Sequence, residues 1–302
     1  NGTDWSEPTG WGNRWGDRST IFRDPFRNLW VYSIRYSYPR RMRGRVETAD
    51  FLAGAKLDKR AFKGNWFVPQ TNEVGVYNVD CVAYESVMLA AVTVMTGPDN
   101  GHWMKCGLPK KTDLHLAFSR NGVDFTRAPD AFLKGTRRSG DWDYGYLHSN
   151  SGVCLVRDDE LWFYYTGFAG DTNRLENVPA KNGMYANASM GIAKLRRDGF
   201  CAMEGTGELV TKELPVSGRH LFVNAKGRLT VKVGDTTVGT FDGDSTRAQV
   251  ADLSAFRGKS VRLTFALTAG ELYSFWTTDD PAGRSGGYLA GGSPEATGLR
   301  DR

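Results

Sequence analysis

Short apolar runs alternate along the chain with clusters of Gly, Asn, Asp and charge. Leu29–Tyr36 is rich in β-branched and aromatic residues. Ser86–Met95 is almost continuously apolar and ends at Gly97-Pro98-Asp99-Asn100-Gly101. Asp113–Ser119 alternates polar and apolar, then turns at Arg120-Asn121-Gly122. Gly152–Val156 and Glu160–Thr166 flank Arg157-Asp158-Asp159 in the pattern of a hairpin, and Met190–Leu195 closes this half. Such runs, bounded by turn residues, predict strands. No long amphipathic helix is predicted, and one short helical turn is expected around residues 48–52.

The predicted strands come in groups that start near Ile21, Val82 and Gly152, with a further edge near Ile192. Radially repeated four-stranded units are the signature of a β-propeller. After Glu204 the character changes. Arg228–Val233, Ser260–Leu267 and Glu271–Trp276 alternate with period two, as half-buried antiparallel strands do. The expected fold class is therefore all-β. A propeller domain is expected over residues 1–204 and a small β-sandwich over residues 205–280. Residues 281–302, rich in Gly, Ser, Pro and charge, are expected to form an extended tail.

Composition narrows the function classes. A chain that is 40% hydrophobic and 12% aromatic is not disordered. A net charge of +5 over 302 residues is not the footprint of a nucleic-acid binder, so no nucleic-acid partner is expected. The arginine-rich run Pro39–Arg45 reads as a solvated loop. No apolar run is long enough for a membrane-spanning helix, and no membrane partner is expected. Cys81, Cys106, Cys154 and Cys201 lack zinc-ligand spacing; Cys81 and Cys154 read as buried thiols, with a disulfide left open. With four His in unrelated contexts and no phosphate-binding loop, neither a metal nor a cofactor is expected. Asn1-Gly2-Thr3 and Asn187-Ala188-Ser189 are glycosylation sequons.

Two carboxylates stand out by context. Asp24 precedes Pro25, which favours a bend, and Arg23 beside it is expected to hold the carboxylate ionised. Glu85 leads into the apolar run 86–95, where burial would raise its pKa and suit a general acid. Such a pair is what glycoside hydrolysis needs, although a strand-end Asp or Glu is more often an ion pair or a turn cap. Asp80 reads either as a partner of Glu85 or as a strand-start ion pair. The segment Asp141–Gly152 is dense in Trp, Tyr, Asp, Asn and His, the side chains that stack on and bond to sugars. Within it, Asp143 also reads as a turn cap and His148 as a core histidine.

Phe22-Arg23-Asp24-Pro25 resembles the Arg-Asp-Pro motif of glycoside hydrolase family 32, within the five-bladed propeller superfamily shared with family 43. Tyr84-Glu85-Ser86 resembles, more loosely, the segment carrying that family's general acid, and Glu85 follows Asp24 by 61 positions. The resemblance covers residues 17–280. It implies a five-bladed propeller followed by a β-sandwich. It also implies hydrolysis of a glycosidic bond in an oligo- or polysaccharide, fructofuranoside-like, in a secreted or periplasmic protein. Carried over, Asp24 is the transition-state stabiliser and Glu85 the acid/base. Arg23, Asp80, Tyr84, Asp143, Tyr144 and His148 fall to substrate binding. The family's nucleophile motif has no match among the 23 residues before Asp24. A partial propeller is therefore expected, its first blade and nucleophile supplied by a missing segment or a second polypeptide. The alternative is a noncatalytic carbohydrate-binding protein on the same scaffold.

Overall fold

The structure is a computed structural model that describes residues 3–13, 15–37, 39–58, 63–99, 101–102, 110–170 and 186–302. Cys106 and Asn1 of the first sequon lie outside the described residues. The chain divides into two compact units, residues 1–154 with 163–193, and residues 155–162 with 194–302. Both are built almost entirely of antiparallel strands, so the fold class is all-β.

In the first unit, β1 (Thr20–Asp24), β2 (Leu29–Tyr36), β3 (Met42–Thr48) and β4 (Lys63–Phe67) form a four-stranded meander. One helix, α1 (Phe51–Lys56), sits between β3 and β4 and starts slightly later than the expected turn. Its N-cap is Asp50, whose carboxylate accepts from the Ala53 amide at 3.0 Å. Tyr32, Ile34 and Val46 form a buried cluster with Trp15, Trp30, Ala55 and Leu57. Each large apolar side chain fully buried there contributes about 1.5–3 kcal/mol.

The second sheet orders β5 (Glu73–Glu85), β6 (Val87–Thr96), β7 (Thr112–Ser119) and β8 (Thr126–Arg127). All but the end residues of β6 are buried, which explains its unbroken apolar run. Tyr84 pairs with Val87, so Glu85 and Ser86 make a two-residue turn, with Glu85 at φ +48°. A third sheet holds β9 (Tyr146–Ser149), β10 (Leu155–Arg157), β11 (Glu160–Phe168) and β12 (Ala188–Arg196). β9 pairs with the last four residues of β11 and packs beside β6 and β7 in the first unit.

The first three residues of β11 belong to the second unit and pair with β10 across the Asp158-Asp159 turn. Seven further described strands follow there: β13 (Met203–Val210), β14 (Leu214–Pro215), β15 (His220–Val233), β16 (Thr236–Asp252), β17 (Ser260–Val261), β18 (Leu263–Thr278) and β19 (Tyr288–Leu289). Their main sheet has the order β13-β18-β15-β16, and β14 and β17 make a small second sheet. The runs 260–267 and 271–276, expected as separate strands, are mostly one strand. Where the two runs were separated, between residues 267 and 271, the strand has a register shift instead. Leu221, Val223, Leu229, Val231, Phe265 and Leu272 are among the residues of its core.

The tail is not simply extended. The half-buried carboxylate of Asp301 accepts from Arg197 at 2.8 Å and Arg247 at 3.1 Å, and the Leu289 amide donates to Leu299 at 3.0 Å. Composition alone missed this, because a few ion pairs anchor a segment that has little apolar surface. The described cysteines Cys81, Cys154 and Cys201 are free thiols, the first two buried. No described helix is long and apolar enough to cross a membrane.

Candidate functional site

The middle of β5 carries polar residues into the interior of the first unit. Asn78 and Asp80 share one face of the strand, as period-two geometry requires, and the Asn78 amide donates to Asp80 Oδ2 at 2.8 Å. The Ser149 hydroxyl, at the end of β9, donates to the same oxygen. Between Val76 and Asn78 the pairing with β6 slips, so Tyr77 is an extra residue in a bulge. Bulges re-aim side chains, and Tyr77 meets the β9 residues Tyr146 and His148, with ring centroids 5.6 and 5.5 Å away. Tyr146 and His148 lie only 4.2 Å apart because they alternate along one face of β9.

Cations converge on this polar and aromatic cluster. Arg41 stacks over Tyr77 at 3.7 Å and donates to the Tyr77 carbonyl at 3.1 Å. It gets there because Arg41 bridges to Gly75; a Cβ on Gly75 would lie 2.9 Å from the Arg41 Cβ. Arg43 of β3 is completely buried. Its guanidinium donates to the carbonyls of Arg18 and Ser33, both at 2.7 Å, and to that of Tyr77 at 3.3 Å. The run 39–45 is therefore no solvated loop, for β3 starts inside it. Lys110 donates to the Tyr77 hydroxyl at 3.2 Å and sits over the Tyr77 and Tyr146 rings. Arg18, just before β1, reaches Asn78 at 3.5 Å from a left-handed backbone at φ +57°.

The electrostatics separate two carboxyl groups. Asp80 is 4% exposed. Burial pushes its pKa up, outweighing the opposing pull of Ser149, Arg18, Asn78 and Arg43. Asp17 is half-exposed and contacts Arg35, with Arg41 at 3.7 Å. Partial burial alone would raise its pKa, but Arg41, Arg35 and Lys110 overcome that and hold it below the ordinary value. His148, 6% exposed, is pushed down to about 2 by burial and by Arg18, Lys110 and Arg41, so the imidazole is neutral. Its Nδ1 and the Arg41 Nε are buried without a hydrogen-bond partner.

Of the residues singled out from the sequence, Asp80 and His148 enter this cluster. Asp24 makes its hydrogen bonds outside the cluster but lies near it, for burial, Asp24 and Asp80 together push the Cys81 thiol pKa up. Glu85 is five residues beyond Asp80 along β5, about 17 Å of strand. Asp24 is 0% exposed and accepts from the Phe26 amide at 3.0 Å, the Arg27 amide at 3.2 Å and Arg27 Nε at 2.6 Å. Arg27, not Arg23, is its ion-pair partner. Arg23 lies on the opposite face of β1, against Asn28 and the Trp30 ring. Tyr84 is buried in β5. Asp143 accepts from the Tyr165 hydroxyl at 3.4 Å, and the Tyr144 carbonyl accepts from the Arg137 amide at 2.9 Å; both shape the loop before β9.

Asp17, Arg18, Arg41, Arg43, Tyr77, Asn78, Lys110 and Ser149 were not singled out as site residues. One signal was available: Asn78-x-Asp80 is a polar pair inside an otherwise apolar strand. The second unit also has an open recess of about 340 Å³, lined by Asp159, Glu160, Lys194, Arg196, Asp244 and Thr246 among others. Lys194 pairs with Glu160 at 3.1 Å and Arg196 with Asp244 at 2.6 Å, and the Thr246 hydroxyl donates to Asp159. No group of three or more metal-ligating side chains occurs among the described residues.

No family model matches the chain, and no curated protein matches it in sequence. In structure it is similar to sugar-active proteins. One is a β-1,2-mannobiose phosphorylase from Listeria innocua, with 16% identity, a TM-score of 0.38 and 82% of this chain covered. A second is a family 32 β-fructofuranosidase from Bombyx mori in complex with sucrose, with 8% identity, a TM-score of 0.32 and 86% of this chain covered. A third is a glycosyl hydrolase from Bacteroides ovatus, with 10% identity, a TM-score of 0.31 and 85% of this chain and 86% of that chain covered. The match takes in 57% of the phosphorylase and 65% of the fructofuranosidase, less than two thirds of either.

Proposed function

We propose that the first unit is the working part of a glycosidase in which Asp80 is the general acid and Asp17 its ionised partner. The observation that carries this reading is that two carboxyl groups beside one cationic cluster are pushed in opposite directions, Asp80 up by burial and Asp17 down by Arg41, Arg35 and Lys110. Groups pushed apart in this way take the acid and the base or nucleophile roles. Asp80 delivers its proton to the glycosidic oxygen as the bond to the anomeric carbon breaks. The Asp17 carboxylate either takes a proton from the attacking water or attacks that carbon itself, and the anomer first released decides between the two. Asn78 and Ser149 fix the acid.

This reading competes with the choice of Glu85 and Asp24 made from the sequence. Hydrolysis of an oligosaccharide and aryl-glycoside panel separates them. Asp80→Asn is expected to remove activity with folding retained, and Glu85→Gln to keep it. The reverse result would return the acid role to Glu85. The reading also keeps open a second polypeptide or further segment that completes the propeller; native mass measurement of material purified from its source tests for it. Sugar binding without turnover, surviving changes at both Asp17 and Asp80, would identify the noncatalytic alternative.

A further inference from the structure

Cations outnumber acids in the cluster. Arg18, Arg35, Arg41, Arg43 and Lys110 face it, against Asp17 and Asp80 among the described residues. Asp17 is committed to Arg35 and, at longer range, to Arg41. Asp80 is held by Asn78 and Ser149, which are neutral. Among the described residues, no carboxylate lies within ion-pair distance of Arg18, Arg43 or Lys110. The donors of Arg43 end on carbonyls and a serine hydroxyl, and Lys110 has a tyrosine hydroxyl and two rings. Arg41 Nε is a buried donor with no acceptor. Arg18 is exposed, but Arg43 and Lys110 are buried, and buried cations without counter-charge are costly.

We propose that this cluster is an oxyanion site and that what occupies it carries a carboxylate, sulfate or phosphate group. Arg41 and Lys110 are the cations best able to receive it. Among the described residues, Arg41 has an unused donor, and Lys110, with three N–H donors, has one protein oxygen partner. Tyr77 holds both cations in place by stacking and by its hydroxyl, so little side-chain freedom remains to be lost on binding. The anion is carried either by the sugar of the proposed reaction or by free inorganic phosphate. The inference deepens the glycosidase reading where the sugar carries it, and stands apart from that reading where phosphate does.

Calorimetry on the full chain tests it with glucose, glucuronate, glucose 6-phosphate, glucose 6-sulfate, inorganic phosphate and sulfate. A charged sugar is expected to bind at least about tenfold more tightly than glucose, with a preference that shrinks as salt rises. Tight charged-sugar binding with weak binding of phosphate and sulfate places the anion on the sugar. Binding of phosphate alone supports the anion site and removes support for the glycosidase reading. Arg41→Gln and Lys110→Met are each expected to erase the preference, with the circular dichroism spectrum unchanged. Should either fail to fold, competition by phosphate against the charged sugar in the unmodified protein reads the same site. Equal binding of charged and neutral sugars, with no binding of phosphate or sulfate, would overturn the inference and leave the glycosidase reading intact. No binding of any of the six probes would also overturn it, and the hydrolysis panel would still judge that reading separately.

Discussion

Ser149 on β9 donates its hydroxyl to Asp80 on β5, joining residues 69 positions apart. The bond favours the charged carboxylate and so opposes the upward push of burial on the Asp80 pKa. Ser149→Ala removes this opposition, and the Asp80 pKa rises further. If Asp80 is the acid, its protonated form is the active one, and kcat/KM falls as pH rises through its pKa. The expected result is a basic limb moved to higher pH in Ser149→Ala, with the acidic limb in place. A pH–rate profile of both proteins checks this. A basic limb that stays where it was would mean that another group supplies the proton.

The same carboxyl carries a stability signature that does not depend on substrate. Its folded pKa is raised above the unfolded value of 3.8. The stability it contributes is therefore fully present below pH 3.8 and is lost as pH rises through the folded pKa. Asp80→Asn removes the charge but keeps the shape. The variant is expected to be more stable than the parent at neutral pH and to lose that advantage below about pH 4. Urea titrations at several pH values measure the difference.

The histidine works in the opposite direction. His148 is held neutral, with its pKa pushed down to about 2 against 6.5 unfolded. Its contribution is present above pH 6.5 and is lost as pH falls, at about 1.4 kcal/mol for each pH unit below that value. His148→Phe fills a similar volume and has no proton to gain. The stability of the parent is expected to decline faster than that of the variant between pH 6.5 and 4, as chemical denaturation would show. Parallel declines would mean that the ring takes up its proton without opening the fold.

How much of this was legible in the sequence depends on whether a feature is local. β2 lies where its apolar run predicted it, because both faces of its first half are occupied and the pattern is continuous. The Asn121 turn is equally local, with its carboxamide accepting from the Val123 and Asp124 amides. The site is not local. Asp17 and Arg41 are 24 positions apart, and they meet because β1 and β3 both pack against β5. Arg43 sits in a run that reads as surface, since nothing local shows that three carbonyls wait for its guanidinium. Asp24 drew notice through its Pro25 context. Its actual partner, Arg27, lies three residues on and is reached through the turn that Pro25 helps to make.

That turn leads to a different expectation for Asp24 than a role in chemistry. The carboxylate is wholly buried, and its Oδ2 takes the 2.6 Å bond from Arg27, which also reaches Glu47 at 2.6 Å and the Gly122 carbonyl at 3.1 Å. Removing one partner of a buried pair leaves an uncompensated charge and costs about 3 kcal/mol. Gly122 is required on two counts. Its φ is +67°, and a Cβ there would fall 2.0 Å from Asp24 Oδ2. Asp24→Ala and Gly122→Ala are each expected to destabilise by about 2–4 kcal/mol, and the double variant by less than their sum, since both disturb one contact. Thermal and urea unfolding of the three variants measures this. The milder Asp24→Asn, assayed where it remains folded, is expected to retain most activity. A loss of turnover there without a loss of stability would restore Asp24 to the catalytic role that its motif suggests.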